Sequence, residues 1–370
     1  MSVTLAELTN DPHPALARLR ASEPVAWVDV LDGWLVTRHD LAVRVLRDSE
    51  LFTVDDPRFS TAQVVGRSML STDGAEHTRH REPFAAPFRR AEVRDRFERF
   101  TESTARELIG AVAPAGSAEL RSTVAGPLAV AVVAEALGLD ADAETVLGWY
   151  SSIVDSVNAV SAGRPVSAAG RSAFESLRDN VERTIARRDE SIVAGAVGRL
   201  PADVVVSNAA VLMFGGIDTT AGMITNAVRH VLLDPAVLHA GIDKVIEESL
   251  RVEPTATRVD RYATRDVELG GARVRRGDLV IVSIAGANRD PAVFADPDRF
   301  DPYRTNPRLN LAFAQGPHFC PGAALARAET RAVLAELLKL PGVRLDDDHD
   351  SAPRGLVFRR PERLRVRWDV

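Results

Sequence analysis

Apolar residues recur at three- and four-residue spacing over residues 41–46, 92–112, 128–137, 171–188, 207–233, 241–252 and 323–340. That period matches one face of an α-helix, so each stretch is predicted helical. Strand patterns are fewer and shorter. Residues 25–36 read as a hairpin turning at Asp32-Gly33, and residues 267–274 as a second turning at Gly270-Gly271, followed by the apolar run 279–284. Proline and glycine punctuate the chain without concentrating into a linker, and no repeat is visible. The expectation is a mainly α fold with small marginal β-sheets, as a single domain over 1–370. Residues 1–14 lack the charged-then-apolar pattern of a signal peptide, and the apolar run near 128–134 falls short of the ~20 residues that span a bilayer. No membrane association is expected.

Composition narrows the chemistry. The 370 residues carry a net charge of −6, with no basic block and a single cysteine. A nucleic-acid or anionic-membrane surface is therefore not expected. One cysteine makes no internal disulfide, no Cys-x-x-Cys zinc module and no iron–sulfur cluster, which suits a reduced, cytoplasmic protein. Only Lys244 and Lys339 are lysines, the other basic residues being arginine.

The cysteine lies in Phe313-Ala-Gln-Gly316-Pro-His318-Phe-Cys320-Pro-Gly322, directly before the predicted helix 323–340. Pro321 suits a first helical position, which puts Cys320 at the N-cap, where the helix dipole and free N–H groups favour a thiolate. Gly316 permits a tight turn, Gly322 lets a flat ligand approach, and Phe313 can cover the sulfur. Taken alone, Cys320 also reads as a small buried hydrophobe. A second constellation is Phe214-Gly215-Gly216-Ile217-Asp218-Thr219-Thr220 inside the long predicted helix. Two interior glycines cost about 1 kcal/mol each relative to alanine, which close helix packing or an opened groove would explain. The Thr219 hydroxyl can bond the Gly215 carbonyl four residues back. A third is Glu248-Ser-Leu-Arg251, an i, i+3 pair that elsewhere would be a solvated surface pair.

Together these segments resemble the cytochrome P450 family, whose haem-binding loop has the Phe, Gly, His, Cys and Gly spacing of 313–322. The resemblance runs from about Pro12 to the C-terminus. It is dense between Asp203 and Leu340 and weakest between Leu139 and Pro201, where substrate-covering helices would lie. It implies the cytochrome P450 fold enclosing haem b, with Cys320 as the axial ligand of the iron and Phe313 and Gly322 shaping the loop. Gly215 would open the groove over the iron, and Asp218 and Thr219 would be the acid-alcohol pair that passes protons to bound oxygen. His77, Arg81, Arg261 and His318 would meet the haem carboxylates, with Arg79 and His80 left at the surface. Glu248, Arg251 and Arg299 would form the family's structural Glu-Arg-Arg network.

The implied activity is that of a monooxygenase using O2 on a small to medium-sized, largely apolar molecule, with secondary metabolism as the expected setting. The pocket would be lined from residues 52–69, 212–216, 255–259 and 356–357. With no cluster-binding cysteines and no G-x-G-x-x-G after a strand, electrons would come from a separate ferredoxin and ferredoxin reductase. Arg327 and Arg331, with Arg89 and Arg90, would offer them a basic face on a monomeric enzyme. A peroxygenase, an oxidative coupling or rearrangement enzyme, and a non-enzymatic haem-binding sensor share most of these motifs.

Overall fold

Both predicted hairpins form, each around the backbone its turn requires. In the computed structural model, which describes residues 3–187, 191–346 and 348–370, strands Val25–Val28 and Gly33–Val36 pair antiparallel with Val25 opposite Val36. Asp32 takes the left-handed conformation that precedes Gly33. Strands Val267–Leu269 and Ala272–Val274 pair around Gly270 and Gly271, both with positive φ, as a tight hairpin turn demands. The run Leu279–Ser283 is the centre of a five-stranded sheet, parallel to Gly33–Val36 and antiparallel to Arg258–Ala263.

The rest is mainly helix, packed on a large apolar core that includes Phe84, Leu128, Val206, Ile224 and Leu334. Smaller cores hold the sheet. The predicted helix 92–112 is two, Arg90–Arg96 and Glu98–Val112, joined at the buried Phe97, and the stretch 323–340 stops at Leu337. The stretch 171–188 is seen as Ala168–Arg187; Arg188 lies outside the described residues. The helix Ala143–Ser161 falls in the stretch of weakest resemblance. Its buried face, Val146, Tyr150, Ile153 and Val157, has helical spacing, and Asp142 caps it by accepting from the Thr145 N–H.

The long stretch 207–233 bends at Ile217 into Ala202–Gly216 and Asp218–Leu233. Among the described residues this pair is the one segment long and apolar enough to cross a membrane, yet it is mostly buried inside the fold. Its apolar surface is spent on the core.

Near its end, the His230 imidazole meets the Ser249 hydroxyl at 3.0 Å and stacks on Phe300. Burial pushes its pKa down to about 4. A histidine held neutral in the folded state stabilises fully above its unfolded pKa near 6.5, and that stability is lost as pH falls through about 4. Thermal melts should therefore show a Tm falling between pH 6.5 and 4, with a shallower fall in His230→Gln. An identical slope in that variant would exclude His230 as a contributor.

The Glu-Arg-Arg network forms with a different third member. Glu248 and Arg251 are fully buried and bidentate, at 2.7 and 2.9 Å. Arg304, not Arg299, completes it, its Nε donating to Glu248 Oε1 at 3.0 Å. The backbone decides this. The Arg299 N–H closes a turn onto the Asp296 carbonyl, which leaves the Arg299 side chain exposed and its own carbonyl accepting from Arg251 and Arg304, each at 2.9 Å.

Candidate active site

Cys320 sits on the wall of a cavity of ≈ 1230 Å³ enclosed between the helical core and the sheet. Drug-sized ligand pockets run to about 1,000 Å³, so this one has room for a large flat cofactor and a second molecule. The loop beneath is set by Gly316, at φ 73°, where a Cβ would lie 2.5 Å from the Leu46 carbonyl oxygen. The Cys320 N–H bonds the Phe313 carbonyl at 2.9 Å. The helix begins at Ala323 with Gly322 at the N-cap, so Cys320 lies two residues further out than the proline suggested. Burial pushes the thiol up. The N–H groups of Gly322 and Ala323, with Arg81 and Arg327, pull it partly back. The helix dipole alone therefore does not make the thiolate; a coordinated metal ion, which deprotonates its thiol ligand, would.

Around the cavity stand cationic and donor groups, most of them without a carboxylate partner. His77 and Arg81 lie one turn apart on the helix Gly74–Ala85. His77 is buried with Nε2 unpartnered, and burial followed by the charges of His318 and Arg81 pushes it down to about 4. Arg81 donates to the Phe319 carbonyl. Arg261, on the strand Arg258–Ala263, is buried with only the Asp260 carbonyl in reach, at 2.8 Å, and burial pushes it down to about 10. His318 packs against the His77 ring at 4.3 Å and meets Asp73 Oδ1 at 2.8 Å. Burial would raise Asp73, but His318, the Thr53 hydroxyl and the Val54 N–H hold it below the usual range. Two arginines without a carboxylate and an orphaned imidazole nitrogen are the donor set a dianionic ligand requires. His80 is a correction: it is buried, not at the surface, on the same helix as His77, and neither ring nitrogen has a hydrogen-bond partner.

The opposite wall separates the two glycines. A Cβ on Gly216 would lie 2.6 Å from Val133 Cγ2, so Gly216 serves close helix packing, whereas nothing lies within 4 Å of a Cβ on Gly215, which lines the cavity. Thr219 also lines it, its hydroxyl donating to the Gly215 carbonyl. Asp218 does not line the cavity. It is clamped between Arg121 at 3.2 Å and Arg360 at 2.9 Å, and burial, followed by the Asp218 charge, raises the nearby Tyr150 phenol. The expected inward-feeding carboxylate is thus held in ion pairs.

The proximal arginines are also engaged. Arg327 pairs with Glu247 and lies over the Phe313 ring at 4.5 Å, while Arg331 pairs with Asp243 at 2.7 Å and Glu98 at 3.6 Å. Of the expected basic face, Arg89 and Arg90 remain exposed. Sequence reasoning missed Glu329, buried on the Cys320 helix with Oε2 unpartnered and its acid raised well above the ordinary value by burial. A charge on the apolar face of 323–340 was the available signal. It also missed Val157 and Ser161, which bring the helix Ala143–Ser161 to the cavity.

The family model described as Cytochrome P450 matches residues 242–364. The chain is 33% identical to the cytochrome P450 monooxygenase PikC of Streptomyces venezuelae, over 97% of this chain and 91% of that one. The chain belongs to the cytochrome P450 family. It is 34% identical to nocardicin C N-oxygenase of Nocardia uniformis subsp. tsuyamanensis, over 97% of this chain and 96% of that one. The crystal structure of CalO2 superimposes with a TM-score of 0.88 at 30% identity, covering 97% and 96% of the two chains. The protein is thus a P450 monooxygenase, and haem is the cofactor its family implies. The residues fit that group: a free, half-buried cysteine on the wall of a cavity of sufficient volume, with Arg81 and Arg261 free of carboxylate partners for its two carboxylates.

Proposed function

We propose that this P450 binds haem b through Cys320 and inserts oxygen from O2 into a small to medium-sized, largely apolar organic molecule. In this reading electrons arrive from a separate ferredoxin and its reductase, and the enzyme acts as a cytoplasmic monomer, one domain over 1–370, in secondary metabolism. The observation that carries it is the placement of Cys320, Gly215 and Thr219 on the walls of one cavity. Relatives named as hydroxylases, a hydroxylase/epoxidase and an N-oxygenase support oxygen insertion.

When bound, haem supplies reductive activation of dioxygen, with the thiolate favouring O–O cleavage. The chain's own residues do the rest. Arg81, Arg261 and His77 would hold the carboxylates and fix the ring's orientation, with His318 kept in place by Asp73. Phe313 would cover the sulfur side. Gly215 leaves the space that a side chain would fill. Thr219 Oγ1, with its proton on the Gly215 carbonyl, can turn to donate into the cavity, and its reprotonation requires Asp218 to exchange an arginine for a proton. Exposed Arg89 and Arg90 are the basic groups left for an acidic electron donor.

In an assay reconstituted with ferredoxin and reductase, Thr219→Ala should keep consuming reductant while product per electron falls on the order of tenfold. Thr219→Ser should keep the coupling. Unchanged product yield in Thr219→Ala would refute proton delivery through this hydroxyl, and would favour the peroxide-driven alternative if hydrogen peroxide alone sustained turnover.

A further inference from the structure

Among the described residues, the strand that borders the cavity carries a cation with no hydrogen-bond or ion-pair partner. On the strand Arg258–Ala263, successive side chains point to opposite faces, so Arg258 shares its face with Asp260 and Tyr262, and Arg261 points the other way. The other cavity arginines of this sheet region have partners. Arg58 pairs with Asp56 and lies over the Tyr262 ring at 4.3 Å, and Arg261 reaches the Asp260 carbonyl. Arg258 has none. Its Nη1 is buried without a hydrogen-bond partner, and among the described residues no hydrogen bond or ion pair reaches its guanidinium. Asp260, two residues on, also has a buried, unpartnered oxygen, and the two do not form an ion pair with each other. Beside these polar groups the cavity wall carries the apolar Leu31, Phe59 and Val357.

Arg258 is half-buried, and its buried Nη1 is a charged donor that an anion in the cavity would answer. The answer does not come from the haem carboxylates if these are held by Arg81 and Arg261, since Arg258 projects from the other face of the strand. We propose that Arg258 binds the carboxylate of the substrate, so that the enzyme's substrates are apolar organic acids oxidised at a carbon remote from the acid group. A planar guanidinium and a carboxylate pair through two parallel N–H···O bonds, which would fix the distance between the acid and the carbon presented above Cys320. The apolar wall would hold the body of the molecule between these two points. This inference rests on the monooxygenase reading above and names the class of substrate for it.

The test uses the haem-loaded protein and probes that need no knowledge of the natural substrate: imidazol-1-yl alkanoic acids of increasing chain length, with matching methyl esters and amines. The imidazole anchors each probe on the iron, and the chain carries the end group outward. Affinity is read from the absorption shift on ligation and from isothermal titration. At one or more chain lengths the acid should bind at least about tenfold more tightly than its ester. The preference should vanish in Arg258→Leu and persist in Arg258→Lys, with the carbon-monoxide spectrum unchanged in both variants. An ester or amine that binds as well as the acid at every length, or an acid preference that survives Arg258→Leu, overturns the proposal while leaving the monooxygenase reading intact. Failure of the wild-type protein to take up haem with the thiolate spectrum would instead defeat that reading, and this inference with it.

Discussion

Replacing Cys320 by alanine is expected to abolish the red-shifted absorption band of the reduced, carbon-monoxide-bound protein and to cut oxygen insertion by on the order of 10³-fold or more. No second thiol exists in the chain to take over as ligand. Of the imidazoles near the cavity, His318 is engaged by Asp73, and the His77 ring packs against it. The fold should survive, because a smaller side chain leaves the Cys320 N–H bond to the Phe313 carbonyl in place. Circular dichroism should therefore match the parent while the spectrum changes. Cys320→Ser should behave like the alanine variant in activity, since an alcohol does not supply the thiolate's electron donation. A thiolate-type spectrum in either variant would disprove the assignment of this sulfur.

Glu248→Ala should be the most damaging substitution for stability, at about 3–5 kcal/mol, out of the 5–15 kcal/mol that typically holds a native domain together. It leaves Arg251 charged at zero exposure and removes the acceptor for Arg304 and for the Asp301 N–H. Replacing Glu248 and Arg251 together by leucine and methionine should not restore the loss. Arg251 also donates to the carbonyls of Asn288, Pro297 and Arg299; the first two would lose that donor, while the Arg299 carbonyl keeps Arg304. Arg304→Ala should cost about 1.5–3 kcal/mol, and Arg299→Ala no more than about 0.5 kcal/mol, because the Arg299 side chain is exposed and contributes only its carbonyl. Urea midpoints of the purified variants decide the order. Arg299→Ala falling below Arg304→Ala would reverse the assignment of the third member.

The difference between Arg299 and Arg304 shows where sequence reasoning stops. Both arginines follow Pro297, and motif spacing favours the nearer one. Which of them reaches Glu248 depends on a turn whose carbonyl points inward, and no one-dimensional pattern records that. Asp218 makes the same point. Its place beside Thr219 is written in the chain, but its partners Arg121 and Arg360 come from segments 97 residues before it and 142 residues after it. His80 read as surface because no motif position supported it, while its own position on the helix faces inward.

The sequence by itself determined the helical class, both hairpins, the cysteine loop and the pairing of Glu248 with Arg251. Each of these is local: a period of 3.6, a glycine where φ must be positive, or two groups one helical turn apart. Tertiary structure alone decided which glycine packs and which opens the cavity, that burial outweighs the helix dipole at Cys320, that the proximal arginines are neutralised, and that Arg258 stands without a partner. Those outcomes depend on distances between segments far apart in the chain and on how much water each charge retains, and packing sets both.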